Sequence, residues 1–160
     1  MAIYHFTMRM VQRSKGQSAV QVAASRSGTR LYDERYGRTR RPVRKDAPCY
    51  SVILLVPGAP SRWRERAILS NEVEARERRS DAALPREIEV ALPVELPLSA
   101  SIDLAAAFAD AVFIRRGMVV DLNVWAQQTE HGQVLPWASL LLDHPRDRRR
   151  RFWPEGPGVE

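Results

Sequence analysis

Cysteine and histidine are scarce in this chain of 160 residues, and both shortages exclude classes of protein. The single cysteine, Cys49, excludes a disulfide framework and a metal site built from cysteines alone. The three histidines are His5, His131 and His144, and no two of them have the spacing of metal ligands. We therefore expect neither a metal ion nor any other cofactor.

Long apolar segments are also absent. No run of about 18 or more apolar residues occurs, so the sequence contains no candidate membrane span. The N-terminal residues alternate between polar and apolar and lack the apolar core of a signal peptide. We therefore expect a cytoplasmic protein with no membrane partner, and its length fits a single domain with a real core.

Basic residues, in contrast, are abundant and unevenly distributed. The chain has 25 Lys and Arg against 19 Asp and Glu, and only Lys15 and Lys45 are lysines. Residues 1–60 carry a balance of +8, residues 61–145 a balance of −4, and residues 146–160 a balance of +2. This segregation favours a surface in the first third of the chain that faces a polyanion, and arginine suits bidentate phosphate contacts. We therefore predict binding to nucleic acid.

The hydrophobic pattern predicts eight main elements in the order β-α-β-α-β-α-β-β. Residues 2–11 alternate as a strand, with Tyr4, Phe6, Met8 and Met10 on the face assigned to the core. A helix capped by Ser18 follows and runs to about residue 31. We predict an α+β fold with helices on one face of a mostly antiparallel sheet. The domain covers residues 1–145, and residues 146–160 form a basic, flexible tail.

Three blocks of the sequence resemble the plasmid mobilisation relaxases of the MobA/MobL family, which belong to the HUH endonuclease superfamily. They are "MAIYHFTMRMVQRSKGQSAVQVAASRSGTRLYDERYG", "NEVEARERRSDAALPREIEVALPVEL" and "RRGMVVDLNVW", in the family's order and at its distances. The resemblance implies a five-stranded antiparallel sheet. It also implies a tyrosine on the first helix that cleaves one DNA strand, and three histidines that hold a divalent metal ion.

The positions that correspond to these working groups carry other residues here. The tyrosine position is Ser25, and the three histidine positions are Trp125, Trp137 and Ser139. A phenol is a far better leaving group than an alkyl hydroxyl when the strand is rejoined. The sequence therefore predicts that the chain is not an enzyme. Tyr32, two helical turns after Ser25, would lie about 10 Å further along a helix, which is too far to replace it at the same phosphate.

Two alternatives describe the tryptophans. The first is that both indoles fill the pocket of the lost metal ion. The second is that they form a stacking platform for unpaired bases beside a basic groove, which requires exposed ring faces. We predict the following DNA-binding residues: Arg9, Arg13, Lys15, Arg26, Arg30, Arg38, Arg40, Arg41, Trp125 and Trp137.

The sequence thus favours a catalytically inactive relaxase-like protein that binds DNA, single-stranded or in a hairpin, during conjugative transfer or mobilisation. Two alternatives remain. One is a protein that pairs with an active relaxase or another transfer protein. The other is an active DNA-nicking relaxase domain.

Overall fold

The computed structural model describes residues 5–77, 79 and 83–143, with only the backbone given at positions 83 and 84. Five antiparallel strands form the main sheet in the order β1-β5-β7-β6-β4, a two-stranded hairpin stands apart, and three α-helices complete the fold. The main strands are β1 (Phe6–Gln12), β4 (Tyr50–Leu54), β5 (Ala83–Ala91), β6 (Val119–Gln128) and β7 (Val134–Asp143); the hairpin is β2 (Leu31–Asp33) and β3 (Arg38–Arg40); the helices are α1 (Ala19–Ser27), α2 (Arg66–Arg76) and α3 (Leu98–Val112). The predicted α+β class with a five-stranded antiparallel sheet is confirmed.

The helices cover both faces of the sheet, which corrects their expected placement on one face. Leu122 and Leu140 pair across β6 and β7 and pack under α3. Leu141, one position further along β7, points to the opposite face and packs against α1. Both faces of the central strands are therefore buried, which explains why their apolar pattern is nearly continuous.

Strand β1 corrects a second expectation. Phe6, Met8 and Met10, assigned to the core, are 47%, 60% and 43% exposed. Strand β1 lies at the edge of the sheet. The side chains of Phe6, Met8 and Met10 point to the same face of the sheet as α3. One helix is about 10 Å wide and spans about two strands spaced 4.8 Å apart, so α3 leaves this edge uncovered. Tyr4 lies outside the described residues.

The first helix begins as predicted and ends earlier. The Ser18 hydroxyl accepts hydrogen bonds from the backbone N–H groups of Val20 and Gln21, which confirms the N-cap. Gly28 ends the helix in a left-handed conformation with φ 66°. Leu31, expected near the end of the helix, begins β2 instead.

A buried carboxylate joins α2 to the start of α1. Glu74 is 1% exposed, and its Oε1 accepts hydrogen bonds from Arg13 at 3.0 and 2.7 Å. Its Oε2 accepts the backbone N–H of Ala19, the first residue of α1, at 2.8 Å. The 3₁₀ turn after β1 and the beginning of α1 are therefore held by a single side chain of α2.

A second buried contact fixes the hairpin to the same helix. Asp33 accepts a hydrogen bond from the Ser18 hydroxyl at 2.8 Å and forms an ion pair with Arg40 at 2.7 Å. Asn71 of α2 donates to the carbonyl of Tyr32 and accepts the N–H of Glu34. Helix α1 and the β2–β3 hairpin therefore form one rigid unit with α2.

No helix in the described part of the chain is long and apolar enough to cross a membrane. The predicted tail at residues 146–160 lies outside that part.

Glu74→Ala is expected to lower the free energy of unfolding by about 3–5 kcal/mol, because the buried charge of Arg13 would lose its carboxylate partner. Urea denaturation measures the change. Asp110→Ala is the matched control: it removes the exposed ion pair with Arg115, and the expected cost is below about 1 kcal/mol. Equal costs for the two variants would contradict the role given to Glu74.

Candidate nucleic-acid interface

An open groove of about 690 Å³ runs between β1, α1 and the loop before β4. Four cationic side chains line it, together with one carboxylate, Glu87. Polar groups along α1 form one wall, and Val43 of the loop before β4 also lines the groove. The cations are Arg9, Lys15, Arg26 and Arg44. A groove of this composition attracts an anionic chain.

Ser25 lies on the α1 wall of this groove. Its hydroxyl accepts a hydrogen bond from the Gln21 side-chain amide at 3.1 Å. The same amide donates to the carbonyl of Arg41 at 2.9 Å. This hydrogen bond connects α1 to the loop between β3 and β4. The position at which the resemblance implies a tyrosine nucleophile therefore borders the groove, as a serine hydroxyl.

Trp125 and Trp137 lie directly opposite each other on β6 and β7. Their rings are nearly parallel, with an interplanar angle of 10° and centroids 5.6 Å apart. The guanidinium group of Arg44 lies 5.2 Å from the Trp125 ring, and that of Arg26 lies 5.8 Å from the Trp137 ring. Because both arginines also line the groove, they stand between the indoles and the groove.

This arrangement bears on the two alternatives for the indoles. Trp125 is only 2% exposed, and Trp137 is half-buried. A base could stack on either ring only after Arg26 or Arg44 had moved away. The geometry therefore favours the indoles as a filling of the pocket, with the arginines above them available to phosphate.

Two glutamates hold Arg26 in place. Its Nε donates to Glu87, and its Nη2 donates to Glu89 at 2.6 Å. Glu89 also accepts a hydrogen bond from Arg9 at 2.8 Å. Glu87 and Glu89 alternate along β5 on the face that carries α1, so the sheet supplies the partners that orient these cations.

The residues at the implied metal position do not fit a metal ion. An indole N–H has no lone pair to donate, and a lone serine hydroxyl is a poor substitute for imidazole. Within the described residues, no group of three or more His, Cys, Asp or Glu side chains is placed to hold an ion. The Nε1 of Trp125 and the Oγ of Ser139 are buried there without a hydrogen-bond partner from the described residues.

Two members of the predicted DNA-binding set are corrected by their burial. Arg13 is 7% exposed and bonds to Glu74 and to the carbonyls of Glu77 and Arg79. Arg40 is also 7% exposed and is paired with Asp33. Guanidinium groups that are buried in ion pairs of this kind are not available to phosphate.

The other basic members of the set lie at the surface or in the groove. Lys15, Arg30 and Arg41 are exposed and have no ion pair within the described residues. Arg38 is exposed and lies 5.8 Å from the ring of Tyr36.

Sequence reasoning missed Arg44 and Tyr36 as features of this surface. Arg44 belongs to the arginine-rich loop, but nothing in the pattern shows that it folds over Trp125. Tyr36 is 42% exposed, and its backbone N–H bonds to Asp33, which in turn bonds to the groove residue Ser18. The cluster of basic residues around Tyr36 was the only available signal.

Comparison with known proteins identifies the family. The model of the MobA/MobL family matches residues 17–143. The chain belongs to the MobA/MobL family. Mobilization protein MobL of Acidithiobacillus ferridurans is 39% identical over 129 residues, which are 81% of this chain and 33% of that protein. Conjugal transfer protein TraA of Rhizobium radiobacter is 35% identical over 132 residues, which are 76% of this chain and 12% of that protein.

A solved structure, described as "Molecular Basis of Vancomycin Resistance Transfer in Staphylococcus aureus", has the same fold. Its TM-score is 0.82 at 32% identity, and the match covers 99% of this chain and 79% of that one. This MobA/MobL chain therefore spans most of the solved domain, but a third or less of the MobL and TraA proteins named above.

Family membership overturns one conclusion of the sequence analysis. The inference that this chain is not an enzyme is wrong, because its relatives in mobilisation and conjugal transfer place it in a family of DNA-nicking relaxases. Replacement of four side chains does not itself show loss of activity, since other groups can supply a nucleophile.

Trp137→Ala is expected to lower the free energy of unfolding by about 2–4 kcal/mol, because it removes a packed indole and leaves a void. Thermal denaturation measures this. The affinity of the folded variant for single-stranded DNA should change by less than about threefold, whereas loss of a true stacking contact costs roughly 1–3 kcal/mol per base. A stable variant with strongly weakened DNA binding would favour the stacking platform instead.

Proposed function

We propose that this chain is a MobA/MobL domain that binds single-stranded DNA in the groove beside α1 during plasmid mobilisation or conjugative transfer. The observation that carries the proposal is the convergence of Arg9, Lys15, Arg26 and Arg44 on one groove. That groove also contains Ser25, the position at which the family resemblance implies contact with the reacting phosphate.

Side chains, and not the start of the helix, supply the phosphate-binding groups. The backbone N–H groups of Ala19, Val20 and Gln21 are already bonded to Glu74 and Ser18. The N-terminus of α1 is therefore closed to a phosphate, although helix N-termini often bind anions. Binding must come from lysine and arginine side chains, so it depends strongly on salt.

The groove suits a single strand better than a duplex. Arg26 and Arg44 stand over the two indoles, and the described residues that line the groove include no aromatic side chain and several cations. A flexible strand can bring successive phosphates to cations spaced along the groove. Sequence preference is therefore expected to be small in this groove.

Single-stranded DNA binding should weaken with salt by about 0.7 log units per log unit of salt for each phosphate contact, and three to five contacts give a slope of about −2 to −3.5. The double variant Lys15→Ala, Arg44→Ala should flatten this slope by about 1.4, since it removes two cations that line the groove. Fluorescence-anisotropy titration with single-stranded, hairpin and duplex DNA measures both values.

The matched control is Arg115→Ala, Arg116→Ala, which removes the same charge from exposed residues that do not line the groove. Its slope should equal that of the unmodified protein. If both double variants flatten the slope equally, the groove has no special role. If the unmodified protein does not bind DNA at about 50 mM salt, where phosphate contacts are strong, the proposal fails and a protein partner takes the place of DNA.

A second candidate function is strand cleavage, which family membership favours. The phenol of Tyr36 is exposed beside Arg38, on the hairpin fixed to the start of α1. Its oxygen would attack phosphorus and form a tyrosyl phosphate, while the P–O3′ bond breaks and the phenol proton passes to the departing 3′ oxygen. Arginine would neutralise charge on the phosphate oxygens.

Incubation with a single-stranded origin oligonucleotide, followed by a denaturing gel, should then show a covalent adduct that Tyr36→Phe abolishes. Tyr32→Phe is the control, since it changes the other exposed phenol of the hairpin and should leave the adduct intact. Absence of any adduct would reject this candidate without affecting the DNA-binding proposal.

A further inference from the structure

The outer edge of β1 presents free backbone groups and apolar side chains at the same residues. The carbonyl of His5 accepts a hydrogen bond from Ala91 of β5, so the backbone of His5 faces β5. Backbone direction alternates along a strand, so Thr7 and Arg9 also face β5. Phe6, Met8 and Met10 therefore direct their N–H and C=O groups away from the sheet, and within the described residues β1 pairs with β5 alone.

Among the residues that the structure describes, the usual protections of an edge strand are missing along this stretch. Proline, inward-pointing charge and a covering helix are common devices against edge pairing. Residues 6–10 contain no proline, and their only charge, Arg9, is ion-paired with Glu89. The irregularity in the β1–β5 register lies between Met10 and Gln12, beyond the regular stretch.

The exposed strand is complementary to a second copy of itself. A two-fold axis at Met8 gives an antiparallel pair in which Met8 meets its equivalent and Phe6 meets Met10 of the other copy. All of these are the outward-facing residues, so each pair exchanges two backbone hydrogen bonds. Their apolar side chains, 47%, 60% and 43% exposed in order along the chain, then cover one another.

The position of the charged residue Arg9 is also compatible with this antiparallel register. Arg9 would lie opposite Thr7 of the other copy and not opposite another arginine. Because Arg9 is already paired with Glu89 at 2.8 Å, its charge is partly neutralised in each copy. The register at Met8 therefore places no like charges directly opposite each other.

We propose that two copies of this chain associate through β1 in this antiparallel register to form a continuous ten-stranded sheet. The axis is perpendicular to the sheet, so both basic grooves lie on the same side of the dimer. Two short strands bury little surface compared with the roughly 1,200–2,000 Å² of a standard interface. Association is therefore weak in the absence of DNA. A single DNA strand that occupies the grooves of both copies strengthens the association.

Analytical ultracentrifugation without DNA tests the interface independently of the proposed function. Between about 1 and 300 µM, the range of weak interfaces, the average mass should rise from monomer towards dimer. Added salt should strengthen association, because each copy carries a net charge of +6 and salt screens the repulsion. DNA binding should respond to salt in the opposite direction, which separates failure of one proposal from failure of the other.

Met8→Lys should weaken the dimer by at least about tenfold, since it places two positive charges opposite each other at the axis. Met8 is 60% exposed, so the fold tolerates the change. Val134→Lys is the matched control, because it alters another exposed strand residue, 49% exposed, away from β1, and should leave association unchanged.

Oxidative cross-linking tests the register. Met8→Cys, made together with Cys49→Ser, should give a disulfide-linked dimer, because hydrogen-bonded antiparallel pairs have Cα atoms about 5.5 Å apart, within the disulfide range. Val134→Cys in the same background should not. The proposal is overturned if the protein stays monomeric throughout, if Met8→Lys dimerises normally, or if the two cysteine variants cross-link equally.

Discussion

The shape of the basic groove depends on the hydrogen bonds of one buried carboxylate, that of Glu74. One of its oxygens holds Arg13, immediately after β1, and the other holds the first N–H group of α1. These two segments form adjacent walls of the basic groove. A buried carboxylate is costly to desolvate, and here a guanidinium group and a backbone donor together offset that cost. A side chain of α2 therefore fixes the shape of the groove, although no residue of α2 lines it.

The positive charge of the groove is partly fixed and partly free. Glu87 and Glu89 hold Arg26 and Arg9 in place, so these guanidinium groups are oriented before any ligand binds. Lys15 has no such partner in the described part of the chain. Oriented cations lose less conformational entropy on binding, whereas the carboxylates beside them reduce the net attraction. The two glutamates therefore fix the positions of the guanidinium groups and at the same time weaken their attraction for an anionic ligand.

The paired tryptophans form an aromatic layer beneath the groove. Trp125 and Trp137 stack on each other, with Arg44 above the first ring and Arg26 above the second. Aromatic stacking buries apolar surface, and each cation–π contact adds an electrostatic attraction between a guanidinium group and a ring face. Because an indole cannot act as the nucleophile, the strand cleavage proposed above would use a phenol outside this layer, that of Tyr36.

The sequence by itself determined the order of the three helices and the five main-sheet strands, the Ser18 cap and the family blocks, because these depend on local periodicity and short-range hydrogen bonds. It missed the hairpin of β2 and β3, whose three-residue strands lie in a segment interpreted as a loop. It also pointed to Ser25, which lies on the wall of the groove, whereas Trp125 and Trp137 are not among the residues that line it. It failed for Phe6, Met8 and Met10, which alternate like a core strand but lie at an uncovered edge.

Only the tertiary structure decided which charges are free. Arg13 and Arg40 look like surface arginines in a basic segment, yet Glu74 and Asp33 bury them in ion pairs. Glu74 lies 61 positions from Arg13, and nothing in the highly charged sequence of α2 distinguishes it from its exposed neighbours. Partner choice among many similar charges depends on how α1, α2 and the sheet pack together, and that packing is a property of the whole fold.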